Sequence, residues 1–143
     1  MAYVQRFEGT LLTGTATVGD SVYLGAVGAT STGGAYVNGF VQQVYYRPAT
    51  ATGDRFATTA GLTWSADHDN LAFFKITGLG KPTGTLTRGV RQPLYGPTGA
   101  ALLYATAGTA VEGLFPVVHE RIKVTVATGG LAKQGTVGVI IGG

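Results

Sequence analysis

The chain has 143 residues, 45% of them hydrophobic and only 12% charged, with 24 glycines and a net charge of +3. The length fits one domain, the low charge and ample apolar content argue against intrinsic disorder, and the glycines carry no Gly-X-Y period, which excludes a collagen-like chain. There is no cysteine, so disulfides, zinc–thiolate sites, iron–sulfur clusters and thiol nucleophiles are excluded together.

Such a chain must be held by its own core, by a partner or by oligomerisation. No stretch approaches the roughly 18 consecutive apolar residues of a membrane helix, so no membrane partner is expected. The opening MAYVQRFEGT lacks the basic region and apolar run of a Sec signal peptide, which predicts synthesis and folding in a cytoplasm. The basic balance comes from having only seven acids; the ten Lys and Arg are scattered singly, and no stripe that would track phosphates is visible.

Residues 1–19 read either as a strand pair or as an arm extending onto a neighbour. Ser21 to Val27 is a weak strand, and Gly28 to Gly34 (GATSTGG) a soft surface connection. Gly39 to Tyr46 is a strand that ends at Arg47-Pro48, because proline cannot donate to a ladder. Ala49 to Asp54 is a second surface connection. Phe56 to Thr77 reads as a hairpin: Leu62 and Trp64 alternate with Thr63 and Ser65, Asp67 to Asn70 turns the chain, and Leu71 to Ile76 returns. Lys81 to Gly99, with Pro82, Pro93 and Pro97, is a long loop with one edge strand at Leu86 to Val90, and a loop of that length usually binds something. Thr98 to Val111 is the longest helix-tolerant stretch, weakened by Gly99, Gly108 and recurrent Thr. Arg121 to Val126 and Gly135 to Ile141 alternate at period two, and the Gly129-Gly130 loop between them predicts an antiparallel hairpin.

The whole is therefore predicted as a single all-β domain over 1–143, an antiparallel β-sandwich or jelly-roll-like barrel with long loops and about eight short strands. The expected inward set is Val22, Leu24, Phe40, Val44, Leu62, Trp64, Phe73, Ile76, Ile122, Val124, Val126, Val137, Val139 and Ile141.

Catalytic chemistry needs positioned ionisable groups, and few present themselves. Asp67-His68-Asp69 offers oxygen and imidazole ligands, but Asp and Asn in a hairpin turn accept local backbone bonds, and no bidentate Glu follows at calcium-loop spacing. His119 and Glu120 are adjacent, so in a strand they point to opposite faces and read as residues capping a strand start. The serines Ser21, Ser31 and Ser65 lie in no G-x-S-x-G elbow. Lys81 in GLGKPTG lacks the spacing and the following helix of a phosphate loop. The expectation is no enzyme: no catalytic residues, no cofactor and no metal. Tyr45-Tyr46-Arg47 and Phe73-Phe74-Lys75 set aromatic pairs beside a base, as in stacking platforms for nucleic acid. In a strand, however, one ring of each pair points into the core, so no nucleic-acid partner is expected.

Three segments together carry a family pattern: Gln92 to Gly99 (QPLYGPTG), Phe115 to Ala127 (FPVVHERIKVTVA) and Gly129 to Val137 (GGLAKQGTV). A proline-containing lead-in, the strand ERIKVTVA, a Gly-Gly loop with a lysine and a closing GTVGV strand resemble the C-terminal part of small virion proteins of tailed bacteriophages. That resemblance implies a structural role and, within it, a capsid decoration (cement) protein. Proteins of that type bind the outer surface of the expanded shell, often as trimers, and hold neighbouring major capsid proteins together. It implies the virion as location, the major capsid protein as partner and a homotrimer as assembly. The segment Ala2 to Thr17 and the loop Lys81 to Gly99 are the expected contacts. Two alternatives stand beside it: a tail or head–tail connector component forming rings, and a carbohydrate-binding β-module using Trp64, Tyr45, Tyr46 and Tyr95 as a sugar platform.

Overall fold

The computed structural model describes residues 4–13, 18–27, 33–67, 71–93 and 112–143. Within them the chain is all-β and antiparallel. The strands are β1 (Val4–Leu12), β2 (Val18–Tyr23), β3 (Gly25–Ala26), β4 (Val37–Pro48), β5 (Gly61–Ala66), β6 (Leu71–Ile76), β7 (Leu86–Gly89), β8 (Gln92–Pro93), β9 (Glu112–Gly113), β10 (Phe115–Glu120), β11 (Ile122–Ala127) and β12 (Gln134–Gly142). A single 3-10 turn, Thr52–Asp54, follows β4. No helix among the described residues is long and apolar enough to cross a membrane.

The large sheet runs β10-β4-β12-β1-β3, with β7 also on β4; the small sheet runs β2-β11-β5-β6; β8 and β9 form a separate ribbon. One core fills the space between the two sheets. From the small sheet come Leu62, Trp64, Ile122, Val124 and Val126; from the large sheet come Phe7, Leu11, Val44, Tyr46, Val137, Val139 and Ile141. Aromatic contacts lock it: Trp64 meets Phe74 edge-on at 5.8 Å, and Phe73 stacks on Phe115 at 4.9 Å. Such pairs stabilise by about 0.5–1.5 kcal/mol beyond the area they bury.

The predicted hairpin over Phe56 to Thr77 forms as β5 paired with β6. The predicted C-terminal hairpin does not. Its two strands exist, but β11 pairs with β2 and β5 while β12 pairs with β1 and β4. The link between them crosses from one sheet to the other. Thr13 pins it, donating its N–H to the Lys133 carbonyl at 2.8 Å and accepting the Lys133 N–H on Oγ1 at 2.6 Å. Gly130 lies at φ +93°, and Thr128 and Ala132 are also left-handed. The physical reason is that alternation records which face is buried, not which strand lies alongside. The valines of β11 and β12 meet across the core instead of side by side.

Phe40 is a second correction: it is 47% exposed. Between Ile140 and Ile141 the register of β12 on β4 skips Gln42. This bulge reverses the parity of β4, so Val37 and Val41 face the core before it and Val44 and Tyr46 after it. Counting back from Val44 at period two therefore puts Phe40 on the wrong face. A bulge does the same to Phe73 and Phe74, where the register shifts beside Ser65, and both rings pack against the core.

Of the two readings of residues 1–19, a strand pair or an arm, Val4–Leu12 forms a strand, but one that pairs with β12 and β3 and not with β2. β1 is an inner strand, flanked by β12 and β3, with Phe7 and Leu11 buried. The Ser21 to Val27 strand is broken at Leu24, where the chain leaves the small sheet as β2 and joins the large one as β3. Within the loop of 81–99, β7 pairs with β4 and β8 with β9. The helix-tolerant stretch Thr98 to Val111 and the turn residues His68 to Asn70 lie outside the described residues.

Candidate functional site

The outer face of the large sheet follows from the register. Phe40 stands opposite Pro116 on one side and Gly142 on the other, and Gly142 stands opposite Val4. Directly opposite residues share a face, so Pro116, Phe40 and Val4 form a row across four strands, with Val118 beside Pro116. All four are exposed, Val118 at 75% and Val4 at 63%. The next row is Arg6, Ile140 and Gln43, followed by Glu8, Gly138, Tyr45 and Thr87, then by Thr10, Thr136 and Arg47. The outer face is thus apolar at one end and basic and amide-rich beyond it.

Tyr45 is held flat on this face. A Cβ at Gly138 would overlap its ring; glycine there allows the phenol to lie on the strand with only 5% exposure. The Tyr45 hydroxyl donates to Glu8 Oε2 at 2.7 Å, and the Arg6 guanidinium sits 5.6 Å above the ring. Burial first, then the bond and charge of Glu8, push the Tyr45 phenol well above the ordinary tyrosine range. Shallow depressions run over the face among the described residues. One of about 290 Å³ is lined by Arg6, Arg47, Gln43 and Thr87. One of about 330 Å³ has Arg91, Gln42 and Gln43. One of about 480 Å³ has Arg47, Thr10, Asp54 and Thr136. The first two share Gln43 and Ile140, and the first and third share Arg47.

The residues considered for catalysis are dispersed. Asp67 accepts Arg121 Nη2 at 2.7 Å and the Tyr23 hydroxyl at 3.1 Å, and the guanidinium holds its carboxyl below the usual aspartate range. Arg121 in turn packs over the Tyr23 ring at 4.2 Å. Asp67 is therefore half of a surface tie between β2, β5 and the entry to β11. His119 is exposed at a bulge, left-handed at φ +50°, stacked on Tyr36 at 4.6 Å, with its N–H donated to Asn38 Oδ1. Ser65 is buried in the small sheet and Ser21 is exposed on β2. No group of three His, Asp or Glu side chains that could hold a metal occurs among the described residues.

The sugar platform is not available at three of its four positions: Trp64, Tyr46 and Tyr45 are all buried, and Tyr95 lies outside the described residues. What sequence reasoning missed is the gathering of Arg6, Arg47 and Arg91. They are scattered along the chain, and only the pairing of β1, β12, β4 and β7 brings them onto one face.

No protein-family model matches this chain, and no curated protein matches it. One solved structure, titled the crystal structure of FLHE, aligns over 98% of this chain and 96% of its own at 13% identity, with a TM-score of 0.45. That similarity is too low to carry a fold or a function across.

Proposed function

We propose that this chain is a structural protein of a tailed-phage virion, a decoration protein that docks on the outer surface of the capsid through the outer face of its large sheet. The observation that supports it is the exposed apolar group Phe40, Pro116 and Val118 at the sheet's β10 edge, with Val4 in the same row beyond Gly142. Contiguous exposed apolar groups on a small domain mark an interaction surface. Among the described residues β10 ends the sheet, and an edge strand can extend onto a neighbour. The docking surface is this face, not an N-terminal arm.

Magnitudes favour a repeated, symmetric contact. Full burial of one such side chain stabilises by about 1.5–3 kcal/mol, while association costs on the order of 4–15 kcal/mol in lost freedom. One copy therefore binds weakly. A trimer engaging several capsid subunits gains effective concentration with each contact. The test is solution mass by light scattering, then co-sedimentation with expanded capsid shells. A trimer that pellets with the shells supports the proposal. A monomer, or a larger ring that stays in the supernatant, moves the assignment to a tail or connector component.

A further inference from the structure

We propose that the basic part of the same face receives an acidic, extended polypeptide segment of the docking partner. Arg6 and Arg47 line one depression with Gln43 and Thr87, and Arg91 lines the adjoining one with Gln42 and Gln43. Arg6, Arg47 and Arg91 are exposed. The acids among the described residues of this face are Glu8, which accepts the Tyr45 hydroxyl and keeps its negative charge, and Asp54 in the outermost depression, so the three arginines outnumber them. Among the described residues no acidic side chain pairs with Arg47 or Arg91. The face therefore carries positive charge that a bound acidic segment complements. Guanidinium groups suit carboxylates because their planar fork can give two parallel bonds. The Gln42 and Gln43 amides and the Thr87 hydroxyl offer donors and acceptors to a peptide backbone between those carboxylates.

A single-stranded nucleic acid fits less well. Its affinity for such grooves relies on rings that stack on bases, and Tyr45, the one aromatic in the basic part among the described residues, lies flat and covered. The apolar row next to it also suits a protein and would be wasted on phosphates. This inference rests on the docking reading for its choice of face, but it is tested with a free peptide. Peptide binding without shell binding would remove the virion assignment alone, and shell binding without peptide binding would remove the acidic segment alone.

The experiment measures fluorescence anisotropy of labelled poly-L-glutamate with the intact chain at low salt. The comparison is between two variants of equal charge: Arg6→Gln/Arg47→Gln/Arg91→Gln on this face, and Lys75→Gln/Lys81→Gln/Lys123→Gln elsewhere. Circular dichroism confirms that both fold. The expected result is saturable binding that weakens with added salt, falls roughly tenfold in the first variant, as three exposed ion pairs imply, and changes less than about twofold in the second. Equal losses in both variants would reduce the effect to net charge and overturn the proposal. No binding by the parent chain, or tighter binding of oligo-dT than of poly-L-glutamate, would overturn it as well.

Discussion

The indole N–H of Trp64, on the small sheet, donates to the carbonyl oxygen of Gly138, on the large sheet, at 3.1 Å in the buried core. The bond joins the two layers, and it explains a tryptophan at a fully buried position: an indole is tolerated there when its N–H finds an acceptor. Trp64 is also the only tryptophan, so intrinsic fluorescence reports directly on the contact between the layers.

Trp64→Phe should remove that donor and leave a cavity. The unmade bond costs about 1–3 kcal/mol, and the lost ring volume adds to it. Urea denaturation followed by far-ultraviolet circular dichroism should show a lower midpoint with an unchanged slope. An unchanged midpoint would mean that the bond contributes nothing net.

Gly138→Ala should destabilise by about 1–3 kcal/mol through overpacking, because the new methyl meets the Tyr45 ring. In a Gly138→Ala/Tyr45→Ala double variant the methyl has room. The double-mutant cycle should therefore give a coupling of roughly 0.5–3 kcal/mol. Strict additivity would show that the ring does not lie over the glycine.

The β architecture, the β5–β6 hairpin and thirteen of the fourteen expected inward residues were legible in the sequence, since period-two alternation reports directly on a buried face. Two features were not. The pairing of β11 with β5, and not with β12, depends on which sheet each strand joins, and an identical valine pattern serves either outcome. The orientation of Phe40 depends on a bulge at Gln42 that no composition signal marks. The candidate surface was hidden for a related reason: its arginines are neighbours only after the strands have been registered.

Val124→Asp places a carboxylate at a site with no solvent exposure and no partner. An unpaired buried charge belongs to the few changes that cost more than about 4 kcal/mol, comparable to the whole stability of a small domain. The variant should be unfolded by circular dichroism and Trp64 fluorescence. A soluble, cooperatively unfolding variant would contradict the inward assignment of β11.

Stability should fall at both ends of the pH scale. Burial and Glu8 raise the folded-state value of Tyr45, and burial raises that of Tyr46. Their contribution is complete below the ordinary tyrosine value of about 10 and is lost as pH rises beyond it, because the unfolded chain releases protons that the folded chain keeps. Asp67 is shifted downward, chiefly by Arg121, so its contribution holds above the ordinary aspartate value of about 3.9 and disappears as pH falls below it. Thermal melts should locate the alkaline loss above about pH 10, with a shallower slope in Tyr45→Phe. An identical slope in that variant would assign the loss to other groups.

The outer face of the large sheet is proposed to dock on a capsid shell. The most direct test is co-sedimentation of a Phe40→Glu/Val118→Glu variant with expanded shells, beside the parent chain and a Lys75→Glu control on the small sheet. Both replaced side chains are exposed, so the fold should survive. The parent and the control should pellet with the shells while the double variant stays in the supernatant. A double variant that pellets at parental occupancy, or a parent that does not pellet, would contradict the proposed docking.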